Sequence, residues 1–216
     1  MSHGQGGFAT FMHMLSQRPA VTAALQDLDQ QKRALRREAE RFRVLVHQDY
    51  KAKAPLTLAQ AGLDFTGLER GLIVSGFYPC RSEIDTLPLL ARLDSEGWIT
   101  CLPVVRAERQ PLVFRKWAPG EPTVPGVWSI PMPLADALEV EPDVLLVPLL
   151  AYDAMGYRLG YGGGFYDRTL AVLRGRKPIT AIGVGYVGQE LPQVPHGPMD
   201  QKLDYVLTED GPKKCG

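Results

Sequence analysis

Cysteine is scarce in this chain: Cys80, Cys101 and Cys215 are the only three among 216 residues. An odd, sparse set is a poor disulfide framework, and no C-x-x-C pair is present for zinc or redox work, so a reducing, cytoplasmic setting is expected. An excess of one charge is also missing. Lys plus Arg and Asp plus Glu both number 24, whereas a general nucleic-acid binder carries a basic surplus. No nucleic-acid partner is therefore expected. No apolar run approaches the roughly 20 residues that span a bilayer. Ahead of Arg18 there is no lysine or arginine to open a signal peptide, and His13, Ser16 and Gln17 interrupt the apolar residues there. No membrane role is expected. Neither G-x-S-x-G nor H-E-x-x-H occurs, and His47 and His196 have no partner pattern, so both read as structural or surface groups.

What is present reads as one α/β domain. Residues 1–22 have the composition of a loosely ordered tail, and residues 23–216 form the domain. A helix is expected over 23–48, with Leu28, Leu35, Phe42, Ala39 and Val46 on its apolar stripe and Lys32, Arg36 and Arg43 along one edge. That edge suits either a solvated surface or an anion site. Strands are expected at "GLIVSGFYP", "WITCLPVV", "PLVFRKW" (an edge strand, from its Pro111 boundary), "DVLLVPLLAYD", "PITAIGVGY" and, last, "LDYVLTED". Helices are expected within 54–71, before Gly97, and from Phe165 to a stop at Gly175. The proline-dense run "APGEPTVPGVWSIPMP" is expected to be an irregular loop. Strands that alternate with helices imply a largely parallel sheet covered on its faces, with ligands at the carboxyl ends of its strands.

The densest glycine run, "GYRLGYGGGFYDR", starts at Gly156 and follows the most apolar strand. It has no lysine, so it is not a Walker A loop. Phe165 stands where a dinucleotide fingerprint needs its third glycine. Gly183, Gly185 and Gly188 do satisfy G-x-G-x-x-G, but "QELPQVPHGP" follows and cannot open a long helix. Small residues where a buried strand leaves the sheet explain them better than a nicotinamide site. The first run retains the parts of a phosphate cradle: glycines that let N–H groups converge, a following helix, Arg158 and Arg168, and Asp167 for a magnesium ion. A tight turn in which Asp167 caps the helix is equally open on these grounds. In "YPCRSEID", Glu83 could bind a polar group of a small molecule.

The segment "DVLLVPLLAYDAMGYRLGYGGGFYDRTL" resembles the signature of the 5-formyltetrahydrofolate cyclo-ligase family. Three more blocks agree in order: "KRALR", "FYPCRSEIDT" and "MDQKLDYVLTED". The resemblance covers about residues 30 to 210. It implies an α/β/α three-layer domain similar to sugar-phosphate isomerases and CoA transferases. It also implies ATP- and Mg2+-dependent cyclisation of 5-formyltetrahydrofolate to 5,10-methenyltetrahydrofolate, with release of ADP and phosphate. Carried over by position, Lys32, Arg33, Ala34, Leu35 and Arg36 would bind ATP. So would Arg158, Leu159, Gly160, Tyr161, Gly162, Gly163, Gly164, Phe165 and Tyr166. Lys32, Arg36 and Arg158 would be catalytic, and Asp167 and Asp200 would hold the metal. Tyr78, Glu83, Trp128 and Tyr166 would bind the folate, including its polyglutamylated forms. A monomer or weak homodimer is expected.

Three departures from the family pattern stand out. The segment before Lys32 is longer, Met132 occupies a place where many bacterial members carry glutamate, and Phe165 replaces the commoner tyrosine. Two alternatives are open to the sequence. One is a relative without this activity, serving as a binding module or in thiamine salvage. The other is a nicotinamide-dependent oxidoreductase using Gly183, Gly185 and Gly188.

Overall fold

In a computed structural model, the backbone of residues 6–216 and the side chains of residues 26–216 are described. The expected tail, residues 1–22, lies outside the residues described in full. The long helix α1 is assigned over Gly6–Tyr50. Three shorter helices follow: α2 (Ala54–Ala61), α3 (Leu87–Ser95) and α4 (Phe165–Arg174).

The main sheet contains β1 (Ile73–Ser75), β2 (Ile99–Val104), β3 (Val113–Lys116), β6 (Glu139–Val140), β7 (Val144–Pro148), β10 (Thr180–Val184), β11 (Tyr205–Thr208) and β12 (Gly211–Lys214). Its order is β12-β11-β10-β7-β1-β2-β3-β6. The strands from β11 across to β2 are mutually parallel, and the flanking pairs are antiparallel. The sheet is therefore largely parallel, as alternating strands and helices imply.

Period-two burial explains the layers. On β7, Val144 and Leu146 enter one core with Leu58 of α2 and Leu89, Leu90 and Leu93 of α3. Leu145 and Val147 enter the opposite core with Leu170 and Leu173 of α4. A strand buried on both faces must read as a continuous apolar run, and "VLLV" does. Each such fully buried side chain contributes about 1.5–3 kcal/mol, so the central strands form a rigid platform for the loops at their carboxyl ends.

Four details differ from expectation. The proline-dense run is not wholly irregular: β4 (Thr123–Pro125) and β5 (Pro131–Pro133) pair, with Pro125 opposite Pro131. Two-stranded ladders tolerate proline where its missing N–H faces outward. β3 is not an edge, because β6 pairs with it; Pro111 precedes the ladder rather than interrupting it. β11 is not the last strand, since "GPKK" returns as β12 without an apolar alternation to announce it. On α1, Phe42 stays about half exposed while Arg43 is 1% exposed. A seven-residue apolar repeat drifts by roughly 20° per heptad on a straight helix, so the buried face moves onto the basic edge.

Candidate functional site

A small hairpin, β8 (Ala151–Tyr152) with β9 (Arg158–Leu159), follows β7 at the carboxyl end of the parallel strands. The glycine run arches from β9 into α4. Gly162 (φ +101°) and Gly164 (φ +64°) lie in the left-handed region that favours glycine. Gly164 is also the N-cap of α4, with no side-chain cap, so the helix start presents N–H groups unshielded by a capping side chain. Arg36 reaches the arch from α1: its Nε donates to the Gly160 carbonyl at 2.8 Å. A Cβ on Gly162 would stand 3.2 Å from Arg36 Cζ. Arg168 is used differently, since it donates to the Gly163 carbonyl and packs on the Phe165 ring.

Two cation–carboxylate pairs flank the arch. Lys32 Nζ lies 2.6 Å from Asp200 Oδ2, which also accepts the Gly197 N–H. Arg158 Nη2 lies 2.8 Å from Asp167 Oδ1, which also accepts the Gln201 N–H at 3.0 Å. The adjacency of Asp200 and Gln201 brings both carboxylates to one locality. Each commits one oxygen to these donors. The other, Asp200 Oδ1 or Asp167 Oδ2, accepts no hydrogen bond among the described residues. Magnesium takes one or two carboxylates and completes its shell with phosphate and water oxygens, so this donor set fits it. Among the described residues no cluster of three or more His, Cys, Asp or Glu is arranged to cage a metal.

A second group lies at the end of β1. The Glu83 carboxylate accepts the Cys80 N–H at 2.7 Å and is only 7% exposed. Burial pushes its pKa up, opposed by the Cys80 N–H, the Tyr161 hydroxyl and the Arg43 and Arg81 guanidinium groups. Burial, followed by the Glu83 charge, pushes the Tyr161 and Tyr166 hydroxyls up as well, so both remain protonated donors. Tyr161, on the arch, thus faces Glu83. Trp128 stands at the start of α4: it is 70% exposed, has φ +56°, and meets the Phe165 ring edge-on with centroids 6.1 Å apart. Tyr78 packs against Trp117 at 5.7 Å.

The structure therefore brings Lys32, Arg36, Arg158, Asp167 and Asp200 to the glycine arch, and Glu83, Tyr161 and Tyr166 to its neighbour. It does not do the same for all of residues 32–36. Arg33 is exposed and donates to Asp29 O of its own helix. Ala34 and Leu35 border a cavity of about 550 Å3 against Leu191, Pro192 and Pro195. Sequence reasoning missed the second role of the 197–201 turn, whose N–H groups hold both carboxylates. Backbone donors leave no residue-type signal. Gly183 and Gly185 are accounted for by packing, since a Cβ on either would come within 2.8 Å of Leu203 or Leu149 side chains. A short 3-10 turn, Val187–Gln189, follows them instead of a helix, so no dinucleotide site forms. His47 bonds to the Tyr186 hydroxyl at 2.9 Å, and His196 stacks on Tyr157.

Comparison with known proteins shows the family of the chain. The model of the 5-formyltetrahydrofolate cyclo-ligase family matches residues 28–209. A 5-formyltetrahydrofolate cyclo-ligase of Haemophilus influenzae is 27% identical over 184 residues, covering 83% of this chain and 98% of its own. One from Escherichia coli K12 is 35% identical over 140 residues, covering 62% and 76% respectively. The solved 5,10-methenyltetrahydrofolate synthetase of Aquifex aeolicus superimposes with TM-score 0.68 at 23% identity, covering 85% of this chain and 92% of its own. Among the described residues, no helix is long and apolar enough to cross a membrane.

Proposed function

The chain belongs to the 5-formyltetrahydrofolate cyclo-ligase family, and from that premise we propose which residues carry its reaction. The enzyme is a ligase of one-carbon metabolism that uses ATP to cyclise 5-formyltetrahydrofolate to 5,10-methenyltetrahydrofolate. The formyl oxygen, amide-like on N5, is a poor leaving group. It attacks the γ-phosphorus of ATP, and ADP departs. N10 then attacks the activated carbon, loses its proton, and phosphate leaves with the original formyl oxygen. No protein nucleophile is needed, and the protein's contribution is positioning and charge stabilisation.

The observation that carries the assignment is the meeting of Lys32, Arg36 and Arg158 around the glycine arch, beside Asp167 and Asp200. Lys32, Arg36 and Arg158 act on the phosphates, and the N–H groups of Gly160 to Gly164 line them. Asp167 and Asp200 are the residues that would hold magnesium, which supplies charge neutralisation on the phosphate oxygens. Glu83 accepts hydrogen bonds from the folate, the Tyr166 hydroxyl donates towards it, and Trp128 and Tyr78 border it.

The test follows methenyl absorbance with folinate and Mg-ATP. Lys32→Met should lower kcat/KM for ATP at least a hundredfold while folinate still binds. Full activity in a folded Lys32→Met protein would remove the phosphate assignment.

A further inference from the structure

Arg43 is the largest fully buried side chain among the described residues, at 1% exposure, and nothing in the reaction above uses it. Burying a guanidinium is costly unless it is paired and bonded. Its partners lie in three different segments. Nε donates to Ser82 Oγ at 3.0 Å, and Nη1 donates to the Leu149 carbonyl at the end of β7 at 3.3 Å. Nη1 also stands 3.7 Å from Glu83 Oε1. The guanidinium carbon lies 5.4 Å from the Tyr161 ring centroid. Nη2 is buried without a partner among the described residues. One side chain thus joins the loop after β1, the end of β7 and the glycine arch.

We propose that Arg43 is a positioning residue for the cyclisation, which fixes the Glu83 carboxylate and the Tyr161 ring in one arrangement and so sets the folate pocket against the nucleotide arch. This rests on the reading of Glu83 as the folate ligand. Lysine cannot substitute, because a single ammonium cannot serve Ser82, Leu149 and Glu83 in one planar fork. The charged and titratable groups that face Glu83 are Arg43 from α1, Arg81 from its own loop, Tyr161 from the arch and Tyr166 from α4. Of these, Arg43 is the buried cation. Burial already favours protonated Glu83, and removal of Arg43 strengthens that preference.

The experiment measures kcat/KM for folinate against pH, at saturating Mg-ATP, for wild type, Arg43→Met, Arg43→Lys and Glu83→Gln. Arg43→Met should move the acid limb upward by at least one pH unit, a displacement that a merely structural loss does not produce. Arg43→Lys keeps the charge and guards against a misfolded methionine variant. It should leave the limb in place yet raise KM for folinate at least fivefold, with a thermal midpoint near wild type. A wild-type limb in Arg43→Met, or a wild-type KM in Arg43→Lys, overturns the inference. Glu83→Gln separates the two readings. If it abolishes the limb while the Arg43 variants behave as wild type, only Arg43 loses its role. If it leaves limb and KM unchanged, the Glu83 assignment falls, and the inference with it.

Discussion

Gly160 separates a turn from a phosphate cradle. Its φ lies outside the left-handed range, and a Cβ built on it meets nothing within 4 Å. Folding therefore gives this position no reason to be glycine, and Gly160→Ala should be neutral or stabilising by about 0.4–1 kcal/mol through the unfolded chain. That corresponds to a rise of roughly 1–4 °C in Tm for a domain of this size. Nucleotide binding should respond in the opposite direction. If the backbone N–H at 160 or its neighbours meets a phosphate oxygen, a methyl group obstructs the approach. Loss of one charge-assisted bond costs about 1.5–3 kcal/mol, or roughly a tenfold to hundredfold rise in KM for ATP. Gly162→Ala is the contrast: with φ +101° and Arg36 Cζ 3.2 Å from its Cβ, it should lose stability and ATP affinity together. Thermal unfolding and initial rates at varied ATP read both effects. A stable Gly160→Ala protein with wild-type KM for ATP would refute the cradle.

Three further outcomes are expected. Asp167→Asn should reduce turnover at least a hundredfold in the coupled ADP assay and raise the magnesium concentration for half-maximal rate, with circular dichroism unchanged; retained turnover would return Asp167 to a helix-start role. Trp128→Gly should relieve left-handed strain of about 1–2 kcal/mol yet raise KM for folinate several-fold, and an unchanged KM would remove Trp128 from the folate pocket. Glu83 has a pKa raised in the fold from its ordinary value of 4.5. The stability this gives is present below the unfolded pKa and is lost as pH rises through the folded one. The Tm of Glu83→Gln relative to wild type should therefore climb between pH 4 and pH 8, and a flat difference in thermal melts would contradict the burial effect.

Much of the fold was readable because its strongest signals are physical ones. "VLLV" reads as a strand buried on both faces and is one, and Gly175 stops α4 where glycine is expected to. β12 and the β4–β5 pair were not readable, since their pairing depends on neighbours rather than on an apolar period. In the proposed site, Lys32, Arg36, Glu83, Asp167 and Asp200 are the residues that ordered motifs single out. Their spatial meeting depends on crossings between α1, the end of β1 and the 197–201 turn, which spacing alone does not fix. Arg43 shows the limit most clearly. It stood on a basic edge that suited solvent or an anion, and it is instead the most buried charge among the described residues.

The most direct test of the mechanism follows the oxygen. Folinate labelled with oxygen-18 in the formyl group is turned over with unlabelled Mg-ATP, and the released phosphate is analysed by mass spectrometry. Phosphoryl transfer to the formyl oxygen, assisted by Lys32, Arg36 and Arg158, places the label in inorganic phosphate, one atom per methenyl product. Label recovered in water, with unlabelled phosphate, would contradict it.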